Sequence, residues 1–446
     1  MTMINRLKKL IVLAIMLLIV AICSGCIREN MDDLFRLPEP SREYIELQKI
    51  IDEIRQAGAV YSAPSAGSYR QSVQLRDISG DGVNEAIAFF NDYGENPLKI
   101  YIFQNIDGKY KTAAVIEGSG TGIESIAYTD MDSDGWSEVI VGWKIPDLKM
   151  LKIYSLKDYQ AATIATTDYT AYTIADIDMN GRDDVIAARH SSTDNTGSVD
   201  ILSIDEAGET VKVSERLSNG IESILKLTTG QLSDKSRALF VEGGYKKDGM
   251  ITDVFILENG KLKCISMNDD GVSAHMARST RVYCRDINND GVMEIPIPRE
   301  LPTQSETAYR VLDWYCYNKW GFRSVSLTTY HNNTDSWYLV LPPEWSVDIT
   351  IRRDDSVSGE RAVIFSIWNG PEAAPVDFLK MITLTGENRE AKTKENNRII
   401  LRREGEIIYV AELLEGSKDW AYAPDEQYLK DSFSLIYSEW ITGLIQ

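Results

Sequence analysis

Four short segments repeat one pattern of oxygen-bearing residues, and no other feature of this 446-residue chain restricts its fold as much. The first reads Asp77-Ile78-Ser79-Gly80-Asp81-Gly82-Val83-Asn84-Glu85, and the others run from Asp130 to Glu138, from Asp176 to Asp184 and from Asp286 to Glu294. From first Asp to first Asp the steps are 53, 46 and 110 residues, and the last is two periods of 55. Recurrence at a fixed period marks a repeat architecture, so a degenerate unit is expected near residue 229.

Each segment offers oxygen donors at its first, third, fifth and ninth positions, an apolar residue at its second and Gly at its sixth. Alternate residues of an extended turn face one side. The donors at positions 1, 3 and 5 therefore converge, while Ile78, Met131, Ile177 and Ile287 point to a core. Gly supplies the positive φ that bends the chain around an ion. The acid at position 9 and a carbonyl at position 7 complete an all-oxygen shell suited to calcium. Metal-free Asx turns share the Asp caps. They do not explain four convergences of carboxylates that repel one another without a cation. An EF-hand needs its acid at position 12, where this chain has Ala88, Val141, Ala187 and Ile297.

Directly after each loop the chain is strand-like: AIAFF, VIVGW, VIAAR and IPIP. Loop and strand together resemble the FG-GAP and VCBS repeats of integrin-like β-propellers over roughly residues 60 to 330, although no FG…GAP tag is present. The resemblance implies calcium ligation by Asp77, Ser79, Asp81 and Glu85; by Asp130, Asp132, Asp134 and Glu138; by Asp176, Asp178, Asn180 and Asp184; and by Asp286, Asn288, Asp290 and Glu294. Ser79 departs from the family's acid or amide, which implies a weaker first site. The expected fold is mainly β, with a small propeller of about five blades over residues 59–330. In the degenerate unit, Thr229 and Gln231 align with the first and third positions and Arg237 with the ninth, and Lys235 or Arg237 is expected to pair with a neighbouring acid.

From residue 335 the grammar changes. SWYLVLPPEW, VDITIRRD, RAVIFSIWN and FLKMITLTG read as strands, and IILRREGEIIYVAELL reads as a hairpin turning at Glu404-Gly405. An amphipathic helix with Leu429, Phe433, Ile436, Trp440 and Leu444 on one face closes an expected α+β domain over residues 335–446.

At the other end, Arg6, Lys8 and Lys9 precede an apolar run from Leu10 to Ile22 and then Cys23-Ser24-Gly25-Cys26. The run is shorter than the roughly 20 residues of a membrane-spanning helix. A positive flank, a short apolar core and small residues before a cut form the secretory pattern. Small-small-Cys resembles the bacterial lipobox, with Cys23 where that family has Leu. The resemblance implies a signal peptide over residues 1–25, lipidation of Cys26, a tether over 26–40 and an extracytoplasmic body held to the membrane. Residues 41–58 predict an amphipathic helix with Ser41 as N-cap, Gly58 as C-cap, and Tyr44, Leu47, Ile51 and Ile54 on the packed face.

Acidic residues outnumber basic ones by 67 to 47, which excludes the clustered cations that nucleic acid requires. The three histidines, His190, His275 and His331, show no catalytic spacing, and no nucleophile elbow or phosphate loop occurs. The expectation is a binding or interaction module rather than an enzyme, with an extracellular protein or glycan as partner; a glycan-binding or glycan-degrading envelope protein is the alternative. Cys264 and Cys284 lie in strand-like segments that can pair if they adjoin.

Overall fold

The computed structural model describes residues 42–437 apart from 147, 346 and 347. The signal peptide, the tether, Cys26, Ser41, Trp440 and Leu444 lie outside the described residues. Six antiparallel sheets of four or five strands make the chain mainly β. They span residues 60–118, 122–169, 171–216, 223–264, 295–341 and 349–413. In the second, third and fourth sheets the strand order is the chain order, as in a meander. Tight turns join neighbouring strands. At Asp107-Gly108 and Asn259-Gly260 both turn residues have positive φ, the backbone that matches strand twist in a two-residue hairpin.

The second strand of each repeat reads as a continuous apolar run because both of its faces are covered. In Glu85–Asn91, Ile87 and Phe89 pack toward the second sheet, whereas Ala86, Ala88 and Phe90 face the helix Arg42–Gln56. The third sheet shows the same division, with Val185 and Ala187 toward the second sheet and Ile186 and Ala188 toward the fourth. Ile295 and Tyr317 carry that core into the fifth sheet, and Tyr330 and Trp337 meet Phe365 and Phe378 of the sixth. Sheets thus stack face to face in chain order, a propeller-like arrangement. Ile78, Met131, Ile177 and Ile287 are all buried, as expected of the second loop position.

Leu47 and Ile51 of the helix are buried against the first sheet and Ile54 is partly buried, but Tyr44 is 56% exposed and does not share the packed face. The degenerate repeat is a four-stranded sheet, Ser223–Gln231, Arg237–Tyr245, Gly249–Glu258 and Lys261–Cys264. Its first strand runs on through Thr229 and Gln231, so these are ladder residues and not loop positions. Arg278, from the segment that follows this sheet, forms a fully buried ion pair with Glu242 of its second strand at 2.9 Å, and Cys284 N donates to the same carboxylate oxygen.

Two expectations near the C-terminus are corrected. Trp337–Leu341 does not join the strands after it in the chain; it pairs with Arg323–Asn332 in the fifth sheet. Among the described residues the last helix is Glu426–Ser432, capped by Asp425, whose carboxylate accepts Tyr428 N. Phe433–Leu435 then becomes a strand against Trp337–Leu339, because extended backbone brings Phe433 onto Trp337 and Tyr409. The hairpin at Glu404-Gly405 forms as expected, with Glu404 opposite Ile407. Cys264 and Cys284 are free thiols; Cys284 is buried beside Thr252 Oγ1, and Cys264 lies beside Ser266 Oγ.

Candidate metal sites

The second and third loops connect the first and second strands of their sheets, the first connects Val73–Arg76 to Glu85–Asn91, and in all three the ninth-position acid opens the strand that follows. Glu85, Glu138, Asp184 and Glu294 are all buried, and each accepts the N–H of the second loop residue, at 2.8, 2.9, 3.0 and 3.1 Å respectively. Asp77, Asp130, Asp176 and Asp286 accept the N–H of Gly82, Gly135, Gly181 and Gly291. Asp81, Asp134, Asn180 and Asp290 accept the N–H two residues on. The backbone thereby fixes these side chains. Position 4 is left-handed in each loop, at Gly80, Ser133, Met179 and Asn289, and so is the Gly at position 6.

Two loops gather three carboxylates with oxygens mutually within 4.8 Å: Asp130, Asp132 and Glu138, and Asp176, Asp178 and Asp184. Asp130 Oδ1 is buried with no hydrogen-bond partner, and so is Glu294 Oε1 in the last loop. A cation is the missing partner that such an oxygen fits. Burial, and then repulsion from Asp132, Asp130 and Asp134, pushes the Glu138 carboxyl up to about 7. Burial likewise lifts Glu294 to about 7 and Asp184 to about 6, and it raises Asp132. Burial and mutual repulsion penalise the ionised form of these carboxyls, a penalty that a cation between them would relieve.

The remaining expected ligands are engaged differently. Ser79 Oγ lies 3.3 Å from Glu85 Oε1, which also accepts the Tyr159 hydroxyl at 2.7 Å, so protein donors already serve that acid. Asp134 accepts Lys157 Nζ at 2.7 Å; burial works to raise its pKa, but the ammonium prevails and holds it low. The Asn180 amide donates to Asp178, and that of Asn288 donates to Asp290. Tyr159 and Lys157 come from the short turn Lys157–Tyr159, and no spacing in the sequence points to them.

Successive loops touch. Ser137 N donates to Ile78 O, Thr129 Oγ1 to Asp183, Arg237 Nη1 to Asp176 O, and Met293 N to Gln231 O. They therefore lie along one side of the stack. Arg237 does open its strand at the ninth-position place, yet it caps a backbone carbonyl rather than pairing with an acid.

The three histidines stand apart. His190 Nε2 donates to Ile221 O, His275 lies near Tyr317, and His331 is buried beside Trp314, its pKa pushed down to about 3 by burial and then by Arg285. Among the described residues no helix is long and apolar enough to cross a membrane.

No family model matches the chain, and no curated protein does. Among solved structures it is similar to a protein of unknown function from Desulfotomaculum acetoxidans, with 15% identity over 68% of this chain and 84% of that one, at a TM-score of 0.29. A rhamnogalacturonan lyase from Bacillus licheniformis is 12% identical over 79% of this chain and 72% of its own, at a TM-score of 0.28. The Dos1 propeller is 11% identical over 79% and 89%, at a TM-score of 0.29. Likeness this distant leaves function to this chain's own residues.

Proposed function

We propose that the body is a calcium-stabilised binding module of the propeller type, displayed outside the cytoplasm on a lipid attached to Cys26. The observation that supports it best is the row of acidic loops along one side of the stack, each hydrogen-bonded to the adjoining sheet, in which Asp130 Oδ1 and Glu294 Oε1 are buried and unpartnered. Calcium on these oxygens would replace repulsion by attraction and tie each sheet to the next. Its ligands would be the four donors of each loop, with the loops at Asp130 and Asp176 tightest because three carboxylates already converge there. Ions bound only by the folded state stabilise it by about 2.7 kcal/mol per site at a hundredfold excess over Kd. Melting should therefore rise between chelator and millimolar calcium, and identical melting would reduce the loops to plain turns.

Anchoring is tested separately. A Cys26→Ala variant is expected to lose the acyl group and stay at precursor size. An unmodified mature N-terminus elsewhere, seen by mass spectrometry, would remove the anchor from the proposal.

A further inference from the structure

A cleft of about 400 Å³ opens on the loop side between the third and fourth sheets. Its walls include Asp178 and Met179 of the third loop, Arg237, Glu258 and Asn259 of the fourth sheet, and Lys319 of the fifth. Beside it stands a hairpin that holds two large rings in solvent: Trp320 is 64% exposed and Phe322 72%. The hairpin is rigid. Asn318 Oδ1 accepts the N–H of both Trp320 and Phe322 at 3.1 Å, and Gly321 has φ +82° with no room for a Cβ against Ile265 O. Lys319 Nζ joins ring to cleft, 5.3 Å from the Trp320 ring centroid and 2.8 Å from Glu258.

We propose that the cleft and Trp320 form a subsite for a neutral oligosaccharide, with the indole stacked on the C–H face of one pyranose and Glu258, Asn259 and Lys319 bonding its hydroxyls. The inference rests on reading the body as a binding module and names its ligand class. A hydroxyl both donates and accepts, which suits a wall holding an acceptor-only carboxylate, a donor-only ammonium and an amide that does both. An aromatic ring held beside such groups gives the apolar-plus-polar surface that a sugar presents in return. The cleft is of small-ligand size. Two acids and two bases in its wall balance, which favours a neutral sugar over a uronate. An anionic membrane is disfavoured, because the carboxylates of the loops and of Glu258 share this side. A hydrophobic protein surface would strip water from the Glu258–Lys319 pair and from the Asn259 amide and give them nothing in return.

The test titrates the lipid-free body in millimolar calcium with chitohexaose, cellohexaose, xylohexaose and maltohexaose, followed by calorimetry and by tryptophan fluorescence. At least one should bind, Trp320→Ala should weaken that affinity tenfold or more with melting unchanged, and Asn259→Ala should weaken it less. Absence of binding by all four, or binding that Trp320→Ala leaves intact, overturns the proposal. So does a Trp320 blue shift with anionic vesicles in place of sugars. Melting in chelator and calcium is recorded on the same samples. A calcium shift without sugar binding removes only this inference, whereas no calcium shift removes the module reading whatever the sugars do.

Discussion

The third and fourth sheets turn the same corner in two ways. In the third, eight residues separate the paired Ala175 and Asp184, and Asp176, Asp178 and Asp184 converge at that corner. In the fourth, five residues separate the paired Gln231 and Arg237, and the turn closes on itself through Leu232 N to Ser236 O and Lys235 N to Leu232 O. The shorter turn needs no ion, since Leu232 N and Lys235 N find carbonyls within it and Ser233 N donates to Tyr317 O. Both corners start a buried second strand of the same kind. Strand grammar therefore fixes the sheet, and loop length decides whether a cation belongs to it.

The comparison implies that the fourth sheet depends on a fixed cation within the fold and its neighbours on an exchangeable one. Arg278→Leu strands the buried Glu242 carboxylate and should cost about 3–5 kcal/mol. Equal losses in calcium and in chelator are expected from denaturant melts; a calcium-dependent loss would break the contrast. Chelation of the wild type should act on the other sheets, by about 2.7 kcal/mol per saturated site. In hydrogen exchange, protection should fall at 130–138 and 176–184 and stay at 232–236. Equal loss at all three would show that the corners do not differ.

pH sharpens the same point. Glu138 and Glu294 are held at about 7 against an ordinary 4.5, and Asp184 at about 6 against 3.8. Without calcium the folded state keeps these protons after the unfolded chain has released them. Their contribution to stability is present below about pH 4 and is lost as pH rises toward 7. Calcium competes with the same protons, so its stabilising increment should grow over that window. Melts at about pH 5 and pH 8, on either side of the folded-state values, each with chelator and with calcium, measure both slopes. A calcium increment larger at the acid end would refute the assignment.

The smallest effects separate the loops from one another. Met179 sits in the left-handed region with its side chain 56% exposed, so Met179→Gly should stabilise by up to about 1 kcal/mol in chelator. Gly80 occupies the equivalent place, but a Cβ there would lie 2.2 Å from Gly135 O, so Gly80→Ala should destabilise by more than about 1 kcal/mol. Denaturant midpoints of the two variants should therefore move in opposite directions.

Much of this architecture is legible in local patterns. Loop spacing locates the fourth sheet although no carboxylate stands at any of its ligand positions, because the apolar run in ALFVEGG survives the loss of the loop. Alternation within a strand cannot show partners distant in sequence. Pattern alone groups Trp337–Leu341 with the strands after it and makes Phe433 helical, since its spacing from Leu429 suits a helix, whereas the two segments pair with each other across about a hundred residues. Charge alone sends Arg237 to an acid, and its donation to a carbonyl depends on a loop 61 residues away. Tyr159, which occupies Glu85, lies 74 residues from it.

The helix Arg42–Gln56 covers the face of the first sheet that turns away from the second. Each of the other repeats buries its second strand between two sheets, whereas among the described residues this face of the first sheet is closed by a helix. Leu47 and Ile51 do this over Ala86, Ala88, Phe90 and Phe103. A chain shortened to begin after the helix would present those residues as an uncapped face, ready to receive another molecule's apolar surface, and should self-associate more strongly than the intact chain.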